Sequence, residues 1–231
     1  GTGNFNSKSS KIYCDHGLLT ADQRLTRELL RVFQVLEGKL IIPRNKHLLV
    51  SPFSTRRRFD KMIYNEIELA RQGKKAKISA KMNSLEDSEM IDMLYFAADK
   101  GVKVRLIVRG FTRLIPGKKG LSENIYITSI VDRFLEHGRI YLFHNDGDEK
   151  LFIGSADWMK RNLDRRIEVL TPIYDKDLQL ELKHILHLQL QDNVKARIHD
   201  ESESNTFVKP KKEEPLIRSQ YAIYEYLKEH Y

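Results

Sequence analysis

Phe134-Leu135-Glu136-His137-Gly138-Arg139-Ile140 and, a short way on, Ile153-Gly154-Ser155-Ala156-Asp157-Trp158-Met159 are the stretches that decide how this chain folds. The first leads into a strand-like run from Arg139 to His144. A turn is expected at Asn145-Asp146-Gly147-Asp148, and a second apolar run ends in the small-residue corner Gly154-Ser155. A hairpin of this kind folds the corner back beside His137. An imidazole, the Arg139 guanidinium, the Ser155 hydroxyl and nearby backbone N–H groups are then expected to converge. Such a set suits a phosphoryl group: a nitrogen to attack it or pass a proton, and positive charge for its oxygens.

The corner occurs twice. Gly1-Thr2-Gly3-Asn4-Phe5-Asn6 aligns with Gly154-Ser155-Ala156-Asp157-Trp158-Met159 at an offset of 153. The same offset carries Asp22 onto Asp175, Leu25 onto Leu178, Glu28 onto Glu181 and Leu29 onto Leu182. Two long segments that match without a gap point to duplicated halves, each a corner followed by an apolar strand and an amphipathic helix. The second corner has a His-x-Arg about 17 residues before it, and the first would have its counterpart before Gly1. The chain therefore reads as starting inside its first half.

Composition narrows the classes. Lys and Arg number 40 against 32 Asp and Glu, a formal charge of +8, with a pI near 9.4. That balance favours a polyanionic partner: nucleic acid, anionic lipid headgroups or a phosphate chain. The single cysteine, Cys14, excludes an internal disulfide framework and fits a reducing compartment. No apolar run approaches the ~20 residues of a membrane-spanning helix, and no signal peptide is visible.

Periodicity then places the elements. Leu25, Leu29, Val32, Phe33 and Leu36 predict a helix over 22–37, stopped by Gly38. A basic linker around Pro43 leads to a strand at Leu48-Leu49-Val50. Helix 55–72 buries Phe59, Met62, Ile63, Ile67 and Ala70. Strand 77–82, helix 88–100 and strand 103–108 follow, the last ending at Arg109-Gly110. The alternation predicts an α/β sandwich on a mostly parallel sheet, with ligands at the carboxyl ends of its strands. Residues 111–124 read as a Gly- and Lys-rich loop, 175–191 as the repeated helix, 199–215 as a polar mobile segment, and 219–230 as a last helix with Tyr221, Tyr224 and Leu227 on one side.

With these blocks in order, the chain resembles bacterial polyphosphate kinase of the long, ATP-consuming type. The resemblance rests on the two corners, Ala80-Lys81-Met82-Asn83-Ser84-Leu85, Leu106-Ile107-Val108-Arg109-Gly110, Leu121-Ser122-Glu123-Asn124-Ile125, Phe134-Leu135-Glu136-His137 and the run Trp158-Met159-Lys160-Arg161-Asn162-Leu163-Asp164. It runs from Gly1 to about Arg197. It implies a phospholipase-D-like fold of two related catalytic domains, with 1–47 the end of the first and 48–231 the second. The implied chemistry is reversible transfer of the ATP γ-phosphoryl to polyphosphate through a phosphohistidine, which the family carries in a His-x-Lys motif that would precede Gly1. Magnesium is implied as cofactor, its ligands outside this chain, with no metal site among residues 1–231. ATP or ADP and polyphosphate are the implied partners, and nucleic acid is not. The complete protein is expected to be a cytoplasmic homo-oligomer, and a peripheral membrane association is compatible with its charge.

Three residues match nucleotide-contact positions of that family. Tyr13 is expected to stack on or hydrogen-bond the nucleotide, Arg109 to hold phosphate oxygens, and His137 to act as the second catalytic histidine. Arg139, Ser155, Asp157, Asn162 and Lys81 are supporting candidates. Tyr13, Arg109 and His137 each have a plainer reading: a strand-packing tyrosine, an ion-paired arginine, a surface histidine. Arg56-Arg57-Arg58 and Lys118-Lys119 read either as solvated charge or as a path for polyphosphate. His184 and His187 form an i, i+3 pair without an evident third metal ligand. Two other functions stay open: a phosphodiesterase or nuclease using paired histidines for hydrolysis, and a non-catalytic polyanion-binding module. Turnover of ATP separates the first from a kinase, and binding without turnover marks the second.

Overall fold

The computed structural model describes residues 1–231. Its centre is an eight-stranded sheet in the order β10-β5-β4-β3-β7-β8-β9-β2. The strands are β2 (Leu49–Ser51), β3 (Lys77–Met82), β4 (Lys103–Val108), β5 (Ile125–Ile130), β7 (Ile140–Phe143), β8 (Lys150–Gly154), β9 (Glu168–Pro172) and β10 (Ala196–His199). The expected parallel character is confined to the centre, where β3, β4 and β5 are linked through α3 (Ser88–Asp99) and the 111–124 loop. The other five pairings are antiparallel, so the sheet is mixed. The reason is the β7–β8 hairpin: a short turn can only return a strand antiparallel, and it inserts beside β3 in place of a parallel neighbour.

Alternation along β3 divides the two layers. Ile78, Ala80 and Met82 face the larger core, filled by Phe59, Ile63 and Ile67 of α2 (Thr55–Arg71) and by Met90, Ile91 and Leu94 of α3. Lys77, Ser79 and Lys81 point to the opposite face. There Leu182 and Leu186 of α5 (Lys176–Leu190) cover Ile107, Ile140 and Ile153. The last helix, α6 (Ser219–His230), packs on α5 through a stack of Tyr226 on His184. Tyr221 and Tyr224, on one side of this helix, are 49% and 61% exposed. A short helix, α4 (Lys160–Asp164), follows the second corner, and Trp158 is fully buried.

The duplicated pattern is visible in the helix starts. Asp22 caps α1 (Gln23–Leu36) by accepting the Arg24 N–H at 2.8 Å. Its repeat partner Asp175 caps α5 by accepting from Asp177 and Leu178, each at 3.0 Å. Such caps satisfy N–H groups that the helix itself leaves free. The two helices differ in burial. Leu182 and Leu186 lie under the sheet, whereas their α1 counterparts Leu29 and Phe33 are 39% and 53% exposed. Only Leu25 and Val32 of α1 join a small cluster with Leu48 and Val50. Glu28, also buried, fixes the linker by accepting the N–H groups of Lys46, His47 and Leu48. The apolar strand expected after the first corner is short: β1 (Tyr13–Cys14) pairs in parallel with β6 (Leu135–Glu136), outside the main sheet. No helix is long and apolar enough to cross a membrane.

Candidate active site

The pairing of β1 with β6 builds the site. It sets Tyr13 beside Leu135 and Cys14 beside Glu136, so the next residues, Asp15 and His137, meet. His137 Nδ1 lies 2.9 Å from an Asp15 carboxylate oxygen. An ionised carboxylate only accepts, so Nδ1 is the donor of this pair and Nε2 is turned away from it. Arg139 Nη1 is 3.2 and 3.1 Å from Nδ1 and Nε2. Near-equal distances to both nitrogens place it over the ring face rather than on a lone pair. Tyr13 covers the imidazole from another side, ring centres 4.8 Å apart.

Arg139 is a frame. Its Nη1 donates to the carbonyls of Thr2 at 2.8 Å and His137 at 2.9 Å, and its Nε to Asp157 at 3.2 Å. Buried Asp157 also accepts the Asn83 N–H at 2.8 Å. The guanidinium expected to face a phosphoryl group is thus largely offset by Asp157. Arg109 is the freer one: its Nε donates to Asn83 Oδ1 at 2.8 Å, and it has no acidic partner within ion-pair distance. The Asn83 amide in turn donates to the His137 carbonyl at 3.2 Å. One asparagine therefore holds both Arg109 and His137.

The hydroxyl that joins His137 is not the expected one. Ser155 Oγ is bonded to Glu168, and Asn162 Nδ2 donates to the same carboxylate at 2.6 Å. Thr2 of the first corner reaches the His137 cluster instead, donating to Asp15 Oδ1 at 2.7 Å. Symmetry accounts for this. Thr2 and Asp15 stand 153 residues before Ser155 and Glu168, so each corner holds an acid 13 residues on through its own hydroxyl. A β-carbon on Gly3 would collide with the Asp15 carboxylate, and one on Gly154 with the Val169 carbonyl of β9. Asp15 and Glu168 were missed by motif reading, although the offset that aligns the corners also aligns them.

Lys81 is no free cation either. Its ammonium is fully buried against Glu136, which also accepts Gln189 Nε2 at 2.8 Å and Gln220 Nε2 at 2.7 Å. The pair anchors β6 immediately before His137. Arg56 is held between Asp87 and Asp164, at 2.7 and 2.8 Å, and Arg58 donates to the Lys46 carbonyl, so these two arginines of the run are structural, while Arg57 is exposed. Lys118 pairs with Glu201 at 3.2 Å. No three His, Cys, Asp or Glu side chains group to hold a metal ion. Burial, aided by Glu136, raises the Cys14 thiol to about 12, so it stays protonated at neutral pH and is no nucleophile. Tyr13, Asp15 and His16 line two adjoining cavities of about 460 and 470 Å³.

His16 packs against Gly138, and burial, then Lys81, lower its imidazole to about 4. A histidine held neutral by folding binds fewer protons than the unfolded chain between about pH 6.5 and 4. Its contribution is present above 6.5 and is lost as pH falls towards 4. Urea unfolding is expected to show stability falling by at most about 1.4 kcal/mol per pH unit in that window from this group. His16→Gln should remove that part of the slope, and an unchanged slope would show that His16 titrates normally.

Comparison with known proteins decides the family. A model of polyphosphate kinase C-terminal domain 1 matches residues 1–42, and one of polyphosphate kinase C-terminal domain 2 matches residues 48–220. The chain belongs to the polyphosphate kinase family. It is 47% identical to the polyphosphate kinase of Vibrio parahaemolyticus over 228 residues, covering 99% of the chain and 33% of that relative. It is 46% identical to the Escherichia coli K12 polyphosphate kinase, with the same coverage. The crystal structure of the Porphyromonas gingivalis polyphosphate kinase superposes with a TM-score of 0.95 at 42% identity, covering 99% of this chain and 35% of that one. The chain thus spans about one third of the length of the polyphosphate kinases it matches.

Proposed function

We propose that these residues form the carboxyl-terminal part of a polyphosphate kinase catalytic centre, working on ATP or ADP and polyphosphate. The observation that carries the reading is Asn83 holding an unpaired guanidinium, Arg109, and a tautomer-fixed imidazole, His137, at the strand ends. Family membership supplies the reaction. An imidazole nitrogen bonds to the γ-phosphorus as the bond to the bridging oxygen breaks and ADP leaves. The phosphoryl group then passes to the end of a polyphosphate chain, and the reverse regenerates ATP.

In this reading the histidine that becomes phosphorylated lies in the part of the family sequence preceding Gly1. Its receiving cradle is Glu168 with Ser155 and Asn162, the counterpart of Asp15 with Thr2 at His137. Residues 1–47 are then the end of a first catalytic domain and 48–231 the second, related as in phospholipase-D-like duplications. Tyr13 stacks on the nucleotide base or ribose, and the free edge of Arg109 forks onto phosphate oxygens. His137 moves a proton at Nε2 or donates to the transferring group. Magnesium is part of the family expectation, but the two carboxylates of the cluster, Asp15 and Asp157, are committed to His137 and Arg139, and the arginines suit phosphate oxygens better than a cation. The complete enzyme is read as a cytoplasmic homo-oligomer, with the net charge of +8 suited to polyphosphate and to an anionic membrane surface.

The test compares this chain with the same chain joined to the rest of a family member. With labelled ATP and magnesium, the joined protein should form acid-labile phosphoprotein and long polyphosphate, and the chain alone neither. Robust phosphohistidine on residues 1–231 would overturn the assignment. Arg109→Ala in the joined protein is expected to cost about 2–4 kcal/mol of transition-state stabilisation, roughly 30- to 1,000-fold in rate. Arg109→Lys should recover little, because an ammonium cannot fork. Kinetics within a factor of about three of wild type for both would make Arg109 structural.

A further inference from the structure

A second basic recess lies at the other end of β3. β3 starts at Lys77 and ends at Met82, just before Asn83. At ~3.3 Å per residue the recess is thus about 17 Å along the strand from the catalytic end. It has a volume of about 190 Å³ between the β3–β7 edge and α5. Leu142, Leu186 and Leu190 make part of its wall, and Lys75, Lys77, Ser79, Lys183 and His187 supply its donors.

Two features set this recess apart from ordinary surface charge. Lys75 and Lys77 have no ion-pair partner, although ion pairs are numerous elsewhere on the surface. The acid present, Glu149, is bonded to Lys183 and lies 3.6 Å from His144, so it is already shared. The second feature is Ser79. Its side chain is 2% exposed, it lines the recess, and its hydroxyl has no hydrogen-bond partner. A buried hydroxyl without a partner carries a desolvation cost, which a ligand oxygen would relieve. Arg105, the neighbour of Ser79 on β4, and Lys103 beside Lys77 add positive potential. Burial, then Arg105 and Lys75, lower the Lys77 ammonium below its ordinary value, and burial and Lys77 lower His187. Burial is the larger cause in both, and the neighbouring cations add to it.

We propose that this recess binds a phosphate group, either inorganic phosphate or the end of a phosphate chain, through the Lys75 and Lys77 ammonium groups, the Ser79 hydroxyl and the His187 imidazole. The charge balance fits a dianion: two unshared ammonium groups face it, and Lys183 with Glu149 is neutral. The donor set fits a tetrahedral oxyanion, which accepts hydrogen bonds from all sides. The site is independent of the reading of His137, and one phosphate ion cannot fill both.

The test follows the imidazole resonance of His187, assigned by its loss in His187→Gln, in residues 1–231. Inorganic phosphate and tripolyphosphate, each at millimolar concentration, are the two probes. The resonance should move saturably with at least one probe, and the His187 pKa should rise in the bound state. Saturation by both probes with tighter tripolyphosphate binding identifies a chain end; saturation by inorganic phosphate alone identifies the free ion. Lys77→Gln and Ser79→Ala should each weaken binding about tenfold, the usual loss for a contact to a charged group. Glu149→Gln should tighten binding, because it frees Lys183, and a misfolded variant could not mimic that gain. The proposal is overturned if His187 does not respond to either probe, or if Lys77→Gln and Glu149→Gln both bind as wild type does.

Discussion

His137→Ala in the full-length enzyme is expected to lower turnover by roughly 10²- to 10⁴-fold, the range typical of a positioned proton donor or acceptor. Its melting temperature should hardly change. The side chain is one-fifth exposed, and its neighbours Asp15, Tyr13 and Arg139 belong to the site rather than the apolar core. His137→Gln keeps a donor of similar reach but cannot exchange a proton near neutral pH. It should rescue little if Nε2 moves a proton, and more if Nε2 only donates. Asp15→Asn tests the support: an amide that offers its N–H to Nδ1 reverses the tautomer, as an acid-to-amide change does in other Asp–His pairs. Turnover should then fall with little change in substrate binding. Normal turnover in His137→Ala would remove His137 from the mechanism, and a collapsed melting transition would make it structural.

Glu136→Gln is expected to destabilise the fold by about 3–5 kcal/mol, because it leaves the Lys81 ammonium buried without its counter-charge. Both side chains are 1% exposed. For a chain of this size that corresponds to a fall of roughly 10 °C in Tm. Lys81→Met should cost a similar amount by stranding the carboxylate, although Gln189 and Gln220 still donate to it. The double variant Lys81→Met with Glu136→Gln should recover part of the loss, since no buried charge remains. Differential scanning calorimetry of the four proteins decides the matter. Single variants melting within about 2 °C of wild type, no more than the shift expected for about 1 kcal/mol in a chain of this size, would show that water reaches the pair. Because Glu136 precedes His137, losses of stability and of activity should appear together.

The sequence by itself determined the local structure and the duplication. Helices α2, α3, α5 and α6 fall within two residues of their expected limits, because apolar spacing, the Asp87 and Asp175 caps of α3 and α5, and Gly73 and Gly101 after α2 and α3 act within a turn or two of the chain. The β7–β8 hairpin was legible for the same reason, and it sets Ile153, the residue before the second corner, opposite Ile140. The offset of 153 revealed the paired corners, and the order of the motif blocks pointed to the family. Tertiary structure alone decided which groups meet at the site. Thr2, and not Ser155, supplies the hydroxyl near His137, since β1 pairs with β6 across more than a hundred residues. Arg139 and Arg109 look alike in sequence, yet Asp157 neutralises the first while the second has only Asn83. Lys81 read as a site cation until Glu136, 55 residues away, took its charge into the interior. The parallel sheet gave way to a mixed one when the hairpin entered beside β3. Periodicity and capping are local and can be read along the chain. The value of a charge or hydroxyl depends on the partner and the burial that the folded chain brings to it, and spacing along the sequence carries neither.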